Sequence, residues 1–392
     1  MTDYTLLKNL LVESGMDKKW SNMFVKKLSD DEAAFPMTDE QKKWALSRGF
    51  FPGRIELYGL NDDNYQNYLP DFGYFMVHPL NHHFRIWVND KLTLKYVLNS
   101  NGCEDTMPRY FLYVENNGNY TYLMDAPEDI AKDTNFIYNL LLREGTLAAK
   151  PNSGTSGGRG FMKLEYRDGQ IYENNKPIER SEFDAAVAQM RNYIVTEYAY
   201  QHDALSEIWP SSECTLRVIM FKQPSASPYD KSEWKCSVSY ARFGTSISGG
   251  ASNLSSGGIG IGFDFETGKY NDFGIRYKKF CADGQWKCYE HPDTHVVWKE
   301  TGLPNWSFVK DKILHVCEHI GSLDYLGFDV IITPDGLKFC EINTHPASDY
   351  EQVMCGPILA KEGAGEFFNS KGIDKLDLSD FYKLYIESQV EE

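Results

Sequence analysis

The sequence predicts an α+β protein with a helical N-terminal region, and three observations carry that reading. Residues 1 to about 50 place apolar side chains at helical spacing. From about residue 88 short strands and helices alternate. Late in the chain, two apolar runs flank Pro334-Asp335-Gly336, a sequence suited to a turn between strands. A length of 392 residues allows two or three domains. Lys and Arg number 40 against 56 Asp and Glu, a net charge of −16 that argues against wrapping a nucleic-acid backbone, which requires a basic face. With 42% hydrophobic and 24% charged residues the chain has the composition of an ordered globular protein.

Each element follows from local signals. Leu6, Leu7, Leu10 and Leu11 form one helical stripe, and Trp20, Met23, Phe24 and Leu28 another. Pro36 breaks the pattern, Thr38-Asp-Glu-Gln41 opens a further helix with a capping signature, and Gly49 ends it. Residues 50–85 read as aromatic and irregular, with Tyr58, Tyr65, Tyr68, Phe72, Tyr74 and Phe75. Beyond them the pattern predicts helix over 90–98, strand over 110–114, helix over 126–142 and strand over 147–149. Residues 181–193 read as helical, followed by strands and hairpins to 343, a helix near 306–322 and a last helix over 376–390.

Eight scattered Cys without a Cys-x-x-Cys suit free thiols in a reducing compartment. The N-terminus lacks a basic segment followed by an apolar one, and no run approaches the roughly 20 apolar residues that span a bilayer. The expectation is a cytoplasmic protein with no membrane span, in which the glycosylation patterns at Asn119, Asn253 and Asn305 have no meaning.

Two segments carry basic groups suited to phosphate. A strand ends in Lys150-Pro151 and runs into Asn-Ser-Gly-Thr-Ser-Gly-Gly-Arg-Gly160, where glycines let backbone N–H groups approach an anion. Without Gly-Lys-Ser/Thr opening a helix this is not a Walker A loop, and the same composition suits a surface hairpin. Lys150 and Arg159 tilt the reading toward phosphate. Lys91, after Asp90 at a helix start, reads alone as a surface lysine and gains weight from its company.

The stretch 327–343 is the most informative. If Pro334-Asp335-Gly336 is a three-residue loop with a glycine bulge, position 333 faces 337 and Asp329 lies opposite Glu341, with Asn343 on the same face. A two-residue Asp-Gly loop sends Asp329 to the other face. Three oxygen donors without His or Cys suit Mg²⁺ or Mn²⁺. A hairpin whose polar residues face water accounts for the pattern equally well.

Taken together these segments resemble the ATP-grasp superfamily, and within it the sugar-transfer-associated ATP-grasp family. The resemblance rests on Arg85-Ile-Trp-Val-Asn-Asp-Lys91, the 150–160 loop, Val195-Thr-Glu-Tyr-Ala-Tyr-Gln-His202 and Ser212-Glu-Cys-Thr-Leu-Arg-Val218. Gly257-Gly-Ile-Gly260 with Asp264-Phe-Glu-Thr-Gly268 and the 327–343 hairpin extend it, so that it covers about 70 to 346. It implies an ATP-grasp fold, two α+β lobes gripping ATP. The boundaries expected are 1–88 for a helical and irregular N-terminal domain, 89–195 for the small lobe and 196–392 for the large lobe.

By the same resemblance Lys91 and Lys150 hold nucleotide phosphates, with Ser153, Gly154, Ser156, Gly157, Gly158 and Arg159 closing over them. Glu197, Tyr198 and Ala199 read adenine, Arg217 and Lys150 act on the transferred phosphate, and Asp329, Glu341 and Asn343 bind Mg²⁺. Cys214 stands where the family often has Asn. The implied activity is ligation of a carboxylate to an amine through an acyl phosphate, releasing ADP, with an amino sugar or peptide as acceptor. A phosphotransferase, or a nucleotide-binding protein without turnover, are the competing readings. Arg159, Arg242, Asn253 and Arg276 are candidate substrate contacts. His315, His319, His291 and His295 read as structural, since none completes a zincin motif.

Overall fold

The computed structural model describes residues 2–154, 159–225, 227, 229, 232–281 and 284–389. Helix α1 (Tyr4–Glu13) starts where the Asp3 carboxylate accepts from the N–H groups of Thr5 and Leu6, and it buries Leu7 and Leu11. Helix α2 (Lys18–Ala34) buries Trp20, Phe24 and Leu28, whereas Met23 lies on its flank, 39% exposed. Thr38 and Gln41 form the expected capping box of α3 (Asp39–Leu46). The aromatic segment expected to be irregular contains α4 (Arg54–Tyr58) and α5 (Asp71–Met76). Too short to show an amphipathic period, these helices are fixed by tertiary contacts. The buried Arg54 guanidinium is held by Asp71 at 2.9 Å and Asp31 at 3.2 Å. Next come α6 (Ile86–Asn89) and α7 (Lys91–Val97).

The first sheet is antiparallel and comprises β1 (Tyr110–Val114), β2 (Tyr120–Tyr122), β3 (Thr146–Pro151), β4 (Met162–Arg167), β5 (Gln170–Glu173), β6 (Lys176–Ile178) and β7 (Tyr193–Glu197). Its order is β2-β1-β7-β3-β4-β5-β6. Leu112, Val114, Leu147, Ala149 and Val195 pack beneath α8 (Phe136–Glu144) and α9 (Arg180–Gln189). Alternation along β3 therefore turns Ala148 and Lys150 to the opposite face. Two helix expectations need correction. The helix placed over 126–142 begins only at Phe136, because Pro127 interrupts the segment and the mostly charged and polar 128–135 stretch offers only Ile130 to the core, too little for a helical stripe. The helix placed over 181–193 stops at Gln189, and Asn192, at φ 55°, turns the chain into β7.

After the short α10 (Asp203–Ser206) comes a second sheet: β8 (Thr215–Lys222), β9 (Trp234–Phe243), β10 (Ile259–Phe263), β11 (Tyr270–Ile275), β12 (Lys287–Cys288), β13 (Tyr325–Thr333) and β14 (Gly336–Asn343). Its order is β12-β11-β10-β9-β8-β13-β14. Leu216, Val218 and Met220 share one core with Leu94 of α7 and with Val309, Ile313 and Val316 of α11 (Trp306–His319). Ile219 and Phe221 face the other way and share a core with Leu7, Phe24, Phe72 and Phe381. The N-terminal helices thus cover that face together with α12 (Tyr350–Cys355), α13 (Ala364–Ser370) and α14 (Asp380–Glu387), the last shorter than the 376–390 expected.

The β13–β14 hairpin reaches the expected pairing by a different route. Thr333 pairs with Gly336, not with residue 337, so Pro334-Asp335 is a two-residue loop. The register then shifts between Asp329 and Val330: Val330 pairs with Phe339 and Asp329 with Glu341, leaving Cys340 as a bulge. That one extra residue, not a glycine bulge at the turn, puts Glu341 opposite Asp329.

Candidate active site

Register aligns Gly262, Tyr240, Arg217, Asp329 and Glu341 in one row across β10, β9, β8, β13 and β14. Asp329 is buried and gripped by two guanidiniums. Arg217 reaches it through Nε at 2.9 Å and Nη2 at 3.2 Å, and Arg242 through Nη2 at 2.8 Å. Burial outweighs these cations and, with Glu341 beside it, pushes the Asp329 carboxyl up to about 6. Burial also acts on Glu341, but Lys91, Asp329 and Asn343 overcome it and hold that carboxyl at about 2. Lys91 Nζ lies 3.5 Å from Glu341 Oε2, and Asn343 Nδ2 donates to Oε1 at 3.1 Å. The Glu341 side chain is 35% exposed against 8% for Asp329, so Glu341 opens to the cleft.

Among the described residues no group of three or more His, Cys, Asp and Glu could hold a metal. The set is two carboxylates and an amide, all oxygen donors, with Glu341 ionised and accessible. That chemistry fits a hard divalent cation.

Lys150 projects from the other sheet. Burial draws its ammonium below the ordinary value and Lys91 adds to the effect, while Cys340 and Glu341 oppose it. Lys150 makes no ion pair among the described residues. Sequence reasoning missed Lys163, which pairs with Ala148 and so shares the cleft face with Lys150. Its ammonium lies 4.6 Å from the Tyr198 ring centroid and 5.5 Å from that of Tyr200. Only strand register reveals it.

In the glycine-rich loop, Thr155, Ser156, Gly157 and Gly158 lie outside the described residues. Ser153 Oγ accepts from Asn192 Nδ2 at 3.4 Å, and Gly154 has φ 80°. Gly160 requires glycine twice over: its φ is 80°, and a Cβ there would stand 2.6 Å from Tyr193 Oη. Arg159 lies beside it on the loop. Glu197 ends β7 with its carboxylate engaged by Arg109 at 2.7 Å and Lys338 at 3.7 Å. The Tyr198 hydroxyl donates to Glu213. The backbone groups of Tyr198 and Ala199 make no hydrogen bond among the described residues.

Of the candidate substrate contacts, Arg242 and Asn253 come together at the Asp329 cluster, 3.2 Å apart, whereas Arg276 donates to the Phe280 carbonyl. His315, His319 and His291 each meet a backbone carbonyl, those of Asn101, Val97 and Gly244, and His295 meets Glu290, which are structural roles. His345 packs against Trp20 with ring centroids 4.5 Å apart and planes tilted by 38°.

Two antiparallel sheets, with lysines on one facing a carboxylate hairpin on the other, define the ATP-grasp class of fold. The chain belongs to the sugar-transfer-associated ATP-grasp family, whose model matches residues 79–364. No curated protein matches it. Among solved structures it is similar to the ATP-grasp ligase PsnB, complexed with a phosphomimetic variant of its minimal precursor, Mg and ADP. Identity is 13% and the TM-score 0.35, over 72% of this chain and 57% of that one. N5-carboxyaminoimidazole synthetase from Staphylococcus aureus with ADP gives 9% identity and a TM-score of 0.36 over 69% and 52%. D-alanyl-alanine synthetase A from Vibrio cholerae gives 12% and 0.34 over 77% and 65%. The chain thus spans between about half and two thirds of the length of these structures.

Proposed function

We propose that the protein is an ATP-dependent, ADP-forming ligase that joins a carboxylate to an amine through an acyl phosphate. The observation that carries this reading is the approach of Lys91 to Glu341 at 3.5 Å, which brings a phosphate-suited ammonium against the oxygen-donor cluster. In this reading residues 89–195 and 196–392 are the two lobes. Lys91, Lys150 and the 152–160 loop, including Ser153, Gly154 and Arg159, cradle the phosphates. The free backbone groups of Tyr198 and Ala199 meet the adenine edge, with Lys163 beside them, while Glu197 acts through its ion pairs in fixing the strand end. Asp329, Glu341 and Asn343 would hold Mg²⁺, which supplies charge neutralisation at the transferred phosphoryl group.

Arg217 spends Nε and Nη2 on Asp329, leaving Nη1 to face the acyl phosphate. The two lysines and Arg217 together offset the charge that develops as the γ-phosphoryl leaves ADP for a carboxylate oxygen. Exclusion of water protects the acyl phosphate until the amine attacks. An amino acid or related carboxylate joined to an amino sugar or peptide in surface-polysaccharide or conjugate assembly is the substrate class that family membership supports. Eight free cysteines, and no described helix long and apolar enough to cross a membrane, support a cytoplasmic setting.

Incubation with Mg-ATP, pooled amino acids and hydroxylamine tests the reading. Hydroxamate with stoichiometric ADP is expected. A phosphorylated product without hydroxamate would transfer the site to a phosphotransferase.

A further inference from the structure

Asn152 follows Lys150-Pro151 at the base of the glycine-rich loop and is 4% exposed, and its backbone and side chain are bonded on every side. Its Oδ1 accepts from the Leu92 N–H at 2.8 Å and its carbonyl from the Lys91 N–H at 3.3 Å. Its Nδ2 donates to Asp90 Oδ2, and its own N–H donates to the Asn192 carbonyl at 2.8 Å. Asp90 uses its other oxygen to cap α7, accepting from the Thr93 N–H at 2.8 Å. Next to Asp90, Asn89 Oδ1 accepts from Thr344 Oγ1 at 2.9 Å, immediately after the Glu341-Ile-Asn343 end of β14. One polar chain therefore runs from the strand bearing Lys150, through the helix start bearing Lys91, to the end of the carboxylate hairpin.

We infer that Asn152, acting with Asp90, is the positioning residue that presents Lys91 and Lys150 to a nucleotide's phosphates as a single cationic pair. The two ammonium groups carry like charge, and Lys91 adds to the burial that lowers Lys150. Each also sits on a flexible four-carbon stem. Glu341 attracts both ammonium groups, Lys91 at 3.5 Å, but does not fix the backbones from which they project. Asn152 does: it is two residues from Lys150, and it receives the N–H groups of Lys91 and Leu92. An amide is required at this position because the group must donate to a carboxylate and accept from a backbone N–H at once. Serine offers shorter reach, and aspartate offers no donor. The inference rests on the reading of Lys91 and Lys150 as phosphate ligands.

Equilibrium binding of ATP and of adenosine, by calorimetry without added substrates, tests both levels. Lys150→Ala is expected to weaken ATP and spare adenosine, and unchanged ATP affinity in that variant would overturn the phosphate reading itself. Asn152→Asp sets two carboxylates face to face and is expected to weaken ATP about tenfold, the loss of the one charge-assisted hydrogen bond to Asp90, with adenosine unaffected. Adding Asp90→Asn exchanges amide and carboxylate, restores donor to acceptor, and is expected to recover most of that loss. In a Lys91→Ala background Asn152→Asp should cost much less than it does alone, the non-additivity of residues acting as a unit. If Lys150→Ala weakens ATP while Asn152→Asp does not, the positioning role is wrong. It is equally wrong if Asn152→Asp weakens adenosine as much as ATP, or if the exchange fails to rescue it.

Discussion

Asp329 is the residue on which the cleft's electrostatics turn, because a single buried carboxylate balances Arg217 and Arg242. Asp329→Ala leaves two guanidiniums without their counter-ion and should cost about 3–5 kcal/mol of stability by urea unfolding. A second buried acid titrates in the opposite sense to an ordinary ion pair. Burial and the neighbouring Asp349 push Glu351 up to about 7, while burial on Asp349 is overcome by Lys27 and Arg54, which hold it low. Tyr240 Oη, in the Arg217 row, donates to Glu351 at 3.2 Å. With the folded value above the unfolded one of about 4.5, the contribution of Glu351 is complete below pH 4.5 and is lost as pH rises through about 7. Glu351→Gln should therefore lie within about 1 kcal/mol of wild type at pH 5 and exceed it by about 1–3 kcal/mol at pH 8.5, read from denaturant midpoints. At this scale residue types and neighbours pointed to Lys91, Lys150, Asp329, Glu341 and Asn343, and the structure brings Lys91, Asp329 and Asn343 to Glu341. They did not point to Asn152 and Lys163, because the roles of those two depend on partners 60 and 35 residues away.

Among elements, the β13–β14 hairpin and α12 decide the shape of the site. The turn sequence predicted the right partner for Asp329 for a wrong reason, since turn composition fixes that a hairpin forms while packing of Val330 and Phe339 into the core fixes where its bulge falls. Helix α12 lies directly on strand glycines: a Cβ at Gly262 would collide with the Met354 carbonyl and the Asn271 amide, and one at Gly260 with Met354 Sδ. Gly262→Ala meets backbone that cannot yield and should destabilise by about 1–3 kcal/mol in thermal unfolding. Gly260→Ala meets a flexible thioether and should cost less. Helices with an apolar stripe or a cap, such as α1, α3 and α11, were legible. The four-to-six-residue α4, α5 and α6 were not, because a single turn carries no period.

At the scale of the molecule, residues before 79 fall outside the family match yet share a core with the second sheet, covering Ile219, Phe221, Val238 and Tyr325. They also grip the segment that leaves the carboxylate hairpin. Lys27 pairs with Asp349 at 2.8 Å, Gln352 exchanges hydrogen bonds with both backbone groups of Leu69, and the Tyr74 hydroxyl donates to the Pro346 carbonyl. A chain starting at residue 79 should consequently yield no soluble monomer by size-exclusion chromatography, since four large apolar side chains on one face lose their cover. The sequence marked this region as helical but gave no sign of where it docks, because contacts separated by some 280 residues leave no local trace.

In the proposed reading, Lys150 on one sheet and Glu341 on the other meet at the phosphates of one ligand, Mg-ATP. Its most direct test is ATP affinity with and without Mg²⁺ in wild type, Lys150→Ala and Glu341→Gln. Mg²⁺ should strengthen binding at least tenfold in wild type, Glu341→Gln should lose this enhancement, and Lys150→Ala should weaken binding in either condition. An unaltered Mg²⁺ enhancement in Glu341→Gln would contradict that reading.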